Sequence, residues 1–190
     1  MKLTAIVSCT LLVCLVGCSS PTNDIRYYQL VTKTPLQVNN EIQQPLTVAP
    51  IKVANYLNGS GLVLRQSAVE FNVARQHLWA DALEQQLQRQ LLEYLLLALP
   101  NQTITAFNTP GARTLQLDIH RFYADEQGQA TVSGYYTLSS IGTVTSTPFA
   151  YQVALADDGY PAMVQALSQG WQQLLQDLVM ALTADQTEKE

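Results

Sequence analysis

The chain has few of the residues on which covalent and metal chemistry depend. Its three cysteines, Cys9, Cys14 and Cys18, all lie near the N-terminus. From residue 19 onward there is no thiol, which excludes a disulfide or a cysteine metal ligand there. The two histidines, His77 and His120, have neither helical nor hairpin metal spacing. There is no Gly-x-Ser-x-Gly elbow, phosphate-cradling glycine loop or dinucleotide fingerprint, and no serine pairs with a histidine in a recognisable order. Asp157-Asp158-Gly159 lacks the further oxygen ligands of a calcium loop and reads as a turn, as does the polar hairpin tip at Asp125-Glu126. The expectation is a protein that is not an enzyme and needs no cofactor. Basic residues are also scarce: ten Lys+Arg, one of them Lys2, stand against fifteen Asp+Glu. That balance argues against nucleic acid as a partner and against electrostatic docking on anionic lipid.

What is present begins at the N-terminus. Met1-Lys2 leads into an apolar run over residues 3–16, which ends in Leu15-Val16-Gly17-Cys18. One positive charge, a short apolar core and a small residue before a cut site make a secretory signal, too short for a spanning helix. The tetrad resembles the bacterial lipobox, in which the thiol is joined to diacylglycerol and the chain is cut just before the cysteine. Gly17 leaves room for the peptidase and Cys18 supplies the sulfur. The resemblance makes Cys18 the lipid-attachment residue. Ser19, rather than aspartate, follows it, which under enterobacteria-like sorting implies the outer membrane, with the domain facing the periplasm. Each buried methylene contributes ~0.8 kcal/mol and stable anchoring takes more than one acyl chain. A triacylated cysteine, with outer-membrane lipid as its partner, meets that need. The expected organisation is a signal over 1–17, a lipidated tether over 18–25, a single domain over 26–183 and a polar tail over 184–190.

The remaining chain is long enough for one ordinary core. Residues 25–31 read as a first strand and 46–53 as a second, in which Pro50 argues for an edge or a bulge. After the Asn58-Gly59-Ser60-Gly61 turn, residues 62–65 and 69–72 look like the arms of a hairpin. A long helix is expected over 77–99, because Leu83, Leu87, Leu91, Leu95 and Leu99 lie four apart and Pro100 ends the pattern. Gln85, Gln86, Gln88 and Gln90 are assigned to its solvent side. Strands follow over 103–107, 114–122, 131–138 and 148–155, and a second long helix over 160–182 with Pro161 in its first turn. Strands, helix, strands, helix is most economically an α+β fold: a largely antiparallel sheet with two long helices packed on one face.

Trp79 and Trp171 sit among leucines and are expected in the core. Phe122, Tyr123, Tyr135 and Tyr136 fall on adjoining strands, so one of each pair should face outward. That surface is either simply wet or a contact for a subunit or lipid chain. Tyr56 and Leu57 are the candidate interface residues. They stand in a turn between two strands, where polar residues are usual, and either tuck back into the core or meet another protein.

Four separated pieces, taken in order, resemble the ABC-type transport auxiliary lipoprotein family (PqiC-like). They are Tyr27-Tyr28-Gln29-Leu30 just after the lipidated cysteine, the stretch from Leu46-Thr47-Val48-Ala49-Pro50 to Tyr56-Leu57-Asn58, Leu62-Val63-Leu64-Arg65, and His77-Leu78-Trp79-Ala80-Asp81-Ala82-Leu83. The sequence departs from the family at Ala54, where proline is usual, and at Asn58-Gly59-Ser60, where the family has a fuller acid-arginine-proline turn. The resemblance implies a non-catalytic accessory subunit of an Mce-type lipid transport system, which receives a periplasm-spanning tunnel protein at the outer membrane and serves envelope integrity. It also implies a ring-like homo-oligomer. The alternative reading is a solitary periplasmic carrier that binds a lipid between sheet and helices.

Overall fold

A computed structural model describes residues 24–38, 44–105 and 109–184. The elements in chain order are β1 (Arg26–Tyr28), β2 (Leu46–Val48), β3 (Lys52–Val53), a 3₁₀ turn (Asn55–Leu57), β4 (Gly61–Arg65), β5 (Phe71–Trp79), α1 (Leu83–Ala98), β6 (Ile104–Thr105), β7 (Arg113–Asp125), β8 (Gln129–Ser140), β9 (Thr143–Ala154) and α2 (Tyr160–Ala184). The signal region and Cys18 lie outside the described residues.

The α+β class holds, but the expectation of a largely antiparallel sheet is corrected: the sheet is mixed, and most strand pairings are parallel. β1 pairs parallel with β5, β2 with β6, and β2, β3 and β4 each with β7. The antiparallel pairings are β4–β5, β7–β8 and β8–β9, which join chain neighbours through short turns. The parallel partners are two to five residues long and arrive from distant parts of the chain. Alternation marks such segments as strands but carries no direction.

β7 is the strand on which the rest assembles. One edge carries β8 along its whole length; the other is divided among β2, β3 and β4. The expected strand over 46–53 is broken at Pro50, as that residue foreshadowed. Ala49 N–H still donates to Leu115 O, but Ile51 N–H donates instead to Gln88 Oε1 on α1.

Leu115, Leu117 and Ile119 of β7 point to the helices and are at most 1% exposed. The register then shifts between Ile119 and Arg121. Beyond that bulge the phase is reversed: Phe122 and Ala124 take the helix side, and Tyr123 and Asp125, also buried, take the other. Gly134 lies opposite Ile119, and a Cβ there would sit 1.9 Å from Asp118 O. The bulge therefore needs a residue with no side chain across from it.

Both helices share one core with the sheet. α1 contributes Leu83, Leu87, Leu91 and Leu95; α2 contributes Leu167, Trp171, Leu174, Leu175 and Leu178, all 2% exposed or less. Burying each leucine in full contributes ~1.5–3 kcal/mol. Gly170 lets α2 approach β8, since a Cβ there would meet Val132 Cγ2 at 2.9 Å. The first helix starts later than the expected 77. His77, Leu78 and Trp79 complete β5, because β4 and β1 pair with that stretch from either side.

Two of the four glutamines assigned to the solvent side of α1, Gln86 and Gln90, in fact hold the N-terminal segment. Gln86 is 1% exposed: its Oε1 accepts from Leu30 N–H, and its Nε2 donates to Asp81 O. Gln90 Nε2 donates to Leu30 O, Ser168 Oγ accepts from Val31 N–H and Gln172 Oε1 accepts from Lys33 N–H. Residues 30–33 thus cross both helices on side-chain hydrogen bonds, with Leu30 buried between them.

Gly134→Ala should destabilise the domain by about 2–3 kcal/mol, because the added methyl meets backbone, not a flexible side chain. Denaturant unfolding of the soluble domain measures this; an unchanged midpoint would mean that the bulge does not require glycine.

Candidate functional site

The 3₁₀ turn is fixed at both ends. Ala54 N–H donates to Ile119 O, and Leu57 and Asn58 N–H donate back to Ala54 and Asn55 O. Leu57 is 2% exposed and belongs to the core, so it offers no surface to a partner. Of the two expected interface residues, only Tyr56 retains exposure, and it is half-buried.

The Tyr56 hydroxyl donates to His120 O at 2.8 Å. His120 is the residue at the β7 bulge, which falls out of the ladder and leaves its carbonyl free. Tyr56 thereby supplies the hydrogen bond that the bulge removed. Burial, reinforced by Tyr123 and opposed by the Arg121 charge, pushes its phenol up to about 12.

From Tyr56 a row of rings runs across the sheet face opposite the helices. Tyr56 stacks on Phe71 at 4.9 Å between centroids, and Phe71 meets Tyr123 edge-on at 5.3 Å. Arg65 lies 5.4 Å over the Tyr123 ring and pairs with Asp125 at 2.9 Å. Asp125 is therefore no solvated tip. Its Oδ1 also accepts from Gln127 and Gln129 N–H, closing the β7–β8 turn. Phe71 and Val73 leave an apolar patch beside Tyr56, 41% and 46% exposed. Of the four aromatics expected on adjoining strands, Phe122 and Tyr123 are both buried, Tyr136 is half-buried, and Tyr135 faces outward with its ring edge-on to His120. Trp79 and Trp171 are core residues, as expected.

A second cluster ties β1 and β5 to the start of α2. His77 stacks on Tyr160 at 3.9 Å, and its Nδ1 shares a 2.8 Å hydrogen bond with the Tyr28 hydroxyl. His77 therefore acts on the second helix, not as the start of the first. Beside this cluster is an open cavity of about 370 Å³, floored by Leu64, Leu155 and Met163, with Glu126 and Asp158 at its rim. Among the described residues no group of three or more His, Cys, Asp and Glu is placed to hold a metal ion. No described helix is long and apolar enough to cross a membrane.

The rings and charges of this surface brace the sheet around the β7 bulge. Residues 28–179 match the family model of the ABC-type transport auxiliary lipoprotein component. Over 162 residues the chain is 32% identical to the intermembrane transport lipoprotein PqiC of Escherichia coli strain K12, covering 84% of this chain and 87% of that protein. The same figures hold for PqiC of Shigella flexneri. Among solved structures, an uncharacterized protein 30% identical to the chain matches with a TM-score of 0.73, over 84% of this chain and 99% of that one. A Xanthomonas campestris protein, 18% identical, matches with a TM-score of 0.74 over 87% and 99%, a likeness of fold alone. The chain belongs to the ABC-type transport auxiliary lipoprotein family and is PqiC-like.

Tyr56→Phe should cost about 1 kcal/mol by leaving the His120 carbonyl to solvent. Because the folded phenol is raised above the ordinary value of 10, its contribution is complete below that pH and lost as pH climbs through about 12. Ultraviolet difference titration of wild type against Tyr56→Phe should show one tyrosine titrating late. A difference centred near 10 would remove Tyr56 from the bulge.

Proposed function

We propose that this chain is an outer-membrane lipoprotein serving as a non-catalytic accessory subunit of an Mce-type, periplasm-spanning lipid transport system, with a role in envelope integrity. The signal over 1–17 is removed, acylated Cys18 anchors the tether over 18–25, and the domain over 26–183 faces the periplasm. There it receives the Mce-domain tunnel protein, as a ring-like homo-oligomer with Tyr56 at or near a contact. The observation that carries this reading is the identity with a protein named for intermembrane transport, at 87% coverage of that protein.

The alternative, a solitary carrier with a lipid between sheet and helices, is opposed by the packing. Leu87, Leu91, Leu117, Ile119, Trp171 and Leu174 fill that space, each without exposed surface. An acyl chain could enter only by separating a helix from the sheet, at a cost of several buried side chains.

Native mass spectrometry of the tagged lipoprotein, gently extracted from envelopes, tests the reading. The expected result is an oligomer that brings an Mce-domain protein with it. A stable monomer holding one stoichiometric lipid would replace docking with the carrier function.

A further inference from the structure

The strand directions decide which end of the domain faces the anchor. β4 and β7 run parallel and finish together, Leu64 beside Ala124 and Arg65 beside Asp125. β5 begins at that same end, with Phe71 opposite Arg65, and runs back. β1 lies parallel to β5, Arg26 beside His77 and Tyr28 beside Trp79. A strand parallel to β5 enters from the end at which β5 begins. The chain therefore reaches Arg26 from the end that carries the β4–β5 tip (residues 66–70), the β7–β8 turn and the loop into α2. The opposite end carries the start of β7, the last turn of α2 and the β8–β9 tip with Ile141.

The tether is short. Residues 18–23 separate Cys18 from Asp24, the first described residue, and six residues reach at most about 20 Å. At the tether end the β4–β5 tip holds up Val69, 92% exposed, with Phe71 below it at 41%. Glu70, Glu126, Asp157 and Asp158 are exposed around the same end, which disfavours anionic headgroups. An apolar tip in an acidic surround fits the interface of a zwitterionic bilayer. A tethered tip needs little intrinsic affinity, because the anchor keeps it at high local concentration.

We propose that the β4–β5 tip, centred on Val69, rests in the interface of the bilayer that holds the Cys18 acyl chains, so that the domain stands with its β8–β9 hairpin directed away from the membrane. This rests on the anchoring of Cys18 in the proposed function and specifies the orientation which that anchoring imposes. It leaves the β8–β9 end, where Ile141 and Val144 are 84% and 70% exposed, as the face open to a periplasmic partner.

With Cys18 acylated, Val69→Cys and Ile141→Cys each supply a single thiol for an environment-sensitive fluorophore. Both positions are exposed, so neither substitution disturbs the core. The full-length lipidated variants are reconstituted in phosphatidylcholine vesicles with and without lipid bearing a quencher in its acyl chains, and flotation is scored alongside fluorescence. The expected result is flotation of both variants, with a blue shift and loss of fluorescence at position 69 and neither at 141. Flotation with quenching at 141, or at neither position, would overturn the orientation and leave the anchoring intact. Failure of both lipidated variants to float would overturn the anchoring, and the orientation with it.

Discussion

Every layer of this domain depends on how β7 is paired. Its 13 residues carry β8 on one edge and three short parallel strands on the other. A strand this long would normally present one face throughout. The bulge at His120 changes that, turning Leu115, Leu117 and Ile119 and then Phe122 and Ala124 toward the helices, while Tyr123 and Asp125 pass to the far face. Two devices stabilise the shift: Gly134, which allows close approach, and Tyr56, whose hydroxyl bonds the carbonyl released from the ladder. The Arg65–Asp125 pair and the row of rings follow from the reversed phase. Without the bulge Tyr123 and Asp125 would point into the helix layer, where a charge is costly.

Part of this was legible in the sequence. Leucines four apart located the first helix, and a helical apolar series after Pro161 located the second; the one error at the start of α1 was avoidable, since the leucine series begins at Leu83, not at His77. Residue pattern and turn chemistry located the β4–β5 and β7–β8 hairpins but missed the β8–β9 hairpin, whose tip lies between Ser140 and Thr143; Pro50 marked the break between β2 and β3. Strand direction was not legible, because two- and three-residue parallel strands take theirs from β7, far away in sequence. Gln86 was misplaced for a related reason: periodicity sorts residues by polarity, and a buried amide that satisfies a distant backbone looks like a surface residue. In the candidate site, Tyr56 and Leu57 stood out as apolar residues in a turn, and Leu57 proved to be core. The partner of Tyr56, a backbone carbonyl at a bulge, leaves no trace in residue types; Gly134 within a strand was the only hint.

The packing bears on function through what it leaves at the surface. The interior is occupied by side chains, and exposed apolar residues remain at the hairpin tips, in the patch beside Tyr56 and on the outer helix faces at Leu96, Leu97 and Met180. The segment across both helices is pinned by Gln86, Gln90, Ser168 and Gln172, so under the proposed anchoring a pull on the N-terminus would be borne by the helix layer and not by a lone edge strand.

On this account the domain acts only as an anchored body, and the anchor is Cys18. The direct measurement is the intact mass of the protein extracted from envelopes, with its N-terminus sequenced by fragmentation. The account predicts a chain that begins at Cys18 and carries the added mass of a thioether-linked diacylglycerol and an amide-linked acyl chain. A mature chain cut elsewhere, or one beginning at Cys18 with a free thiol, would contradict it.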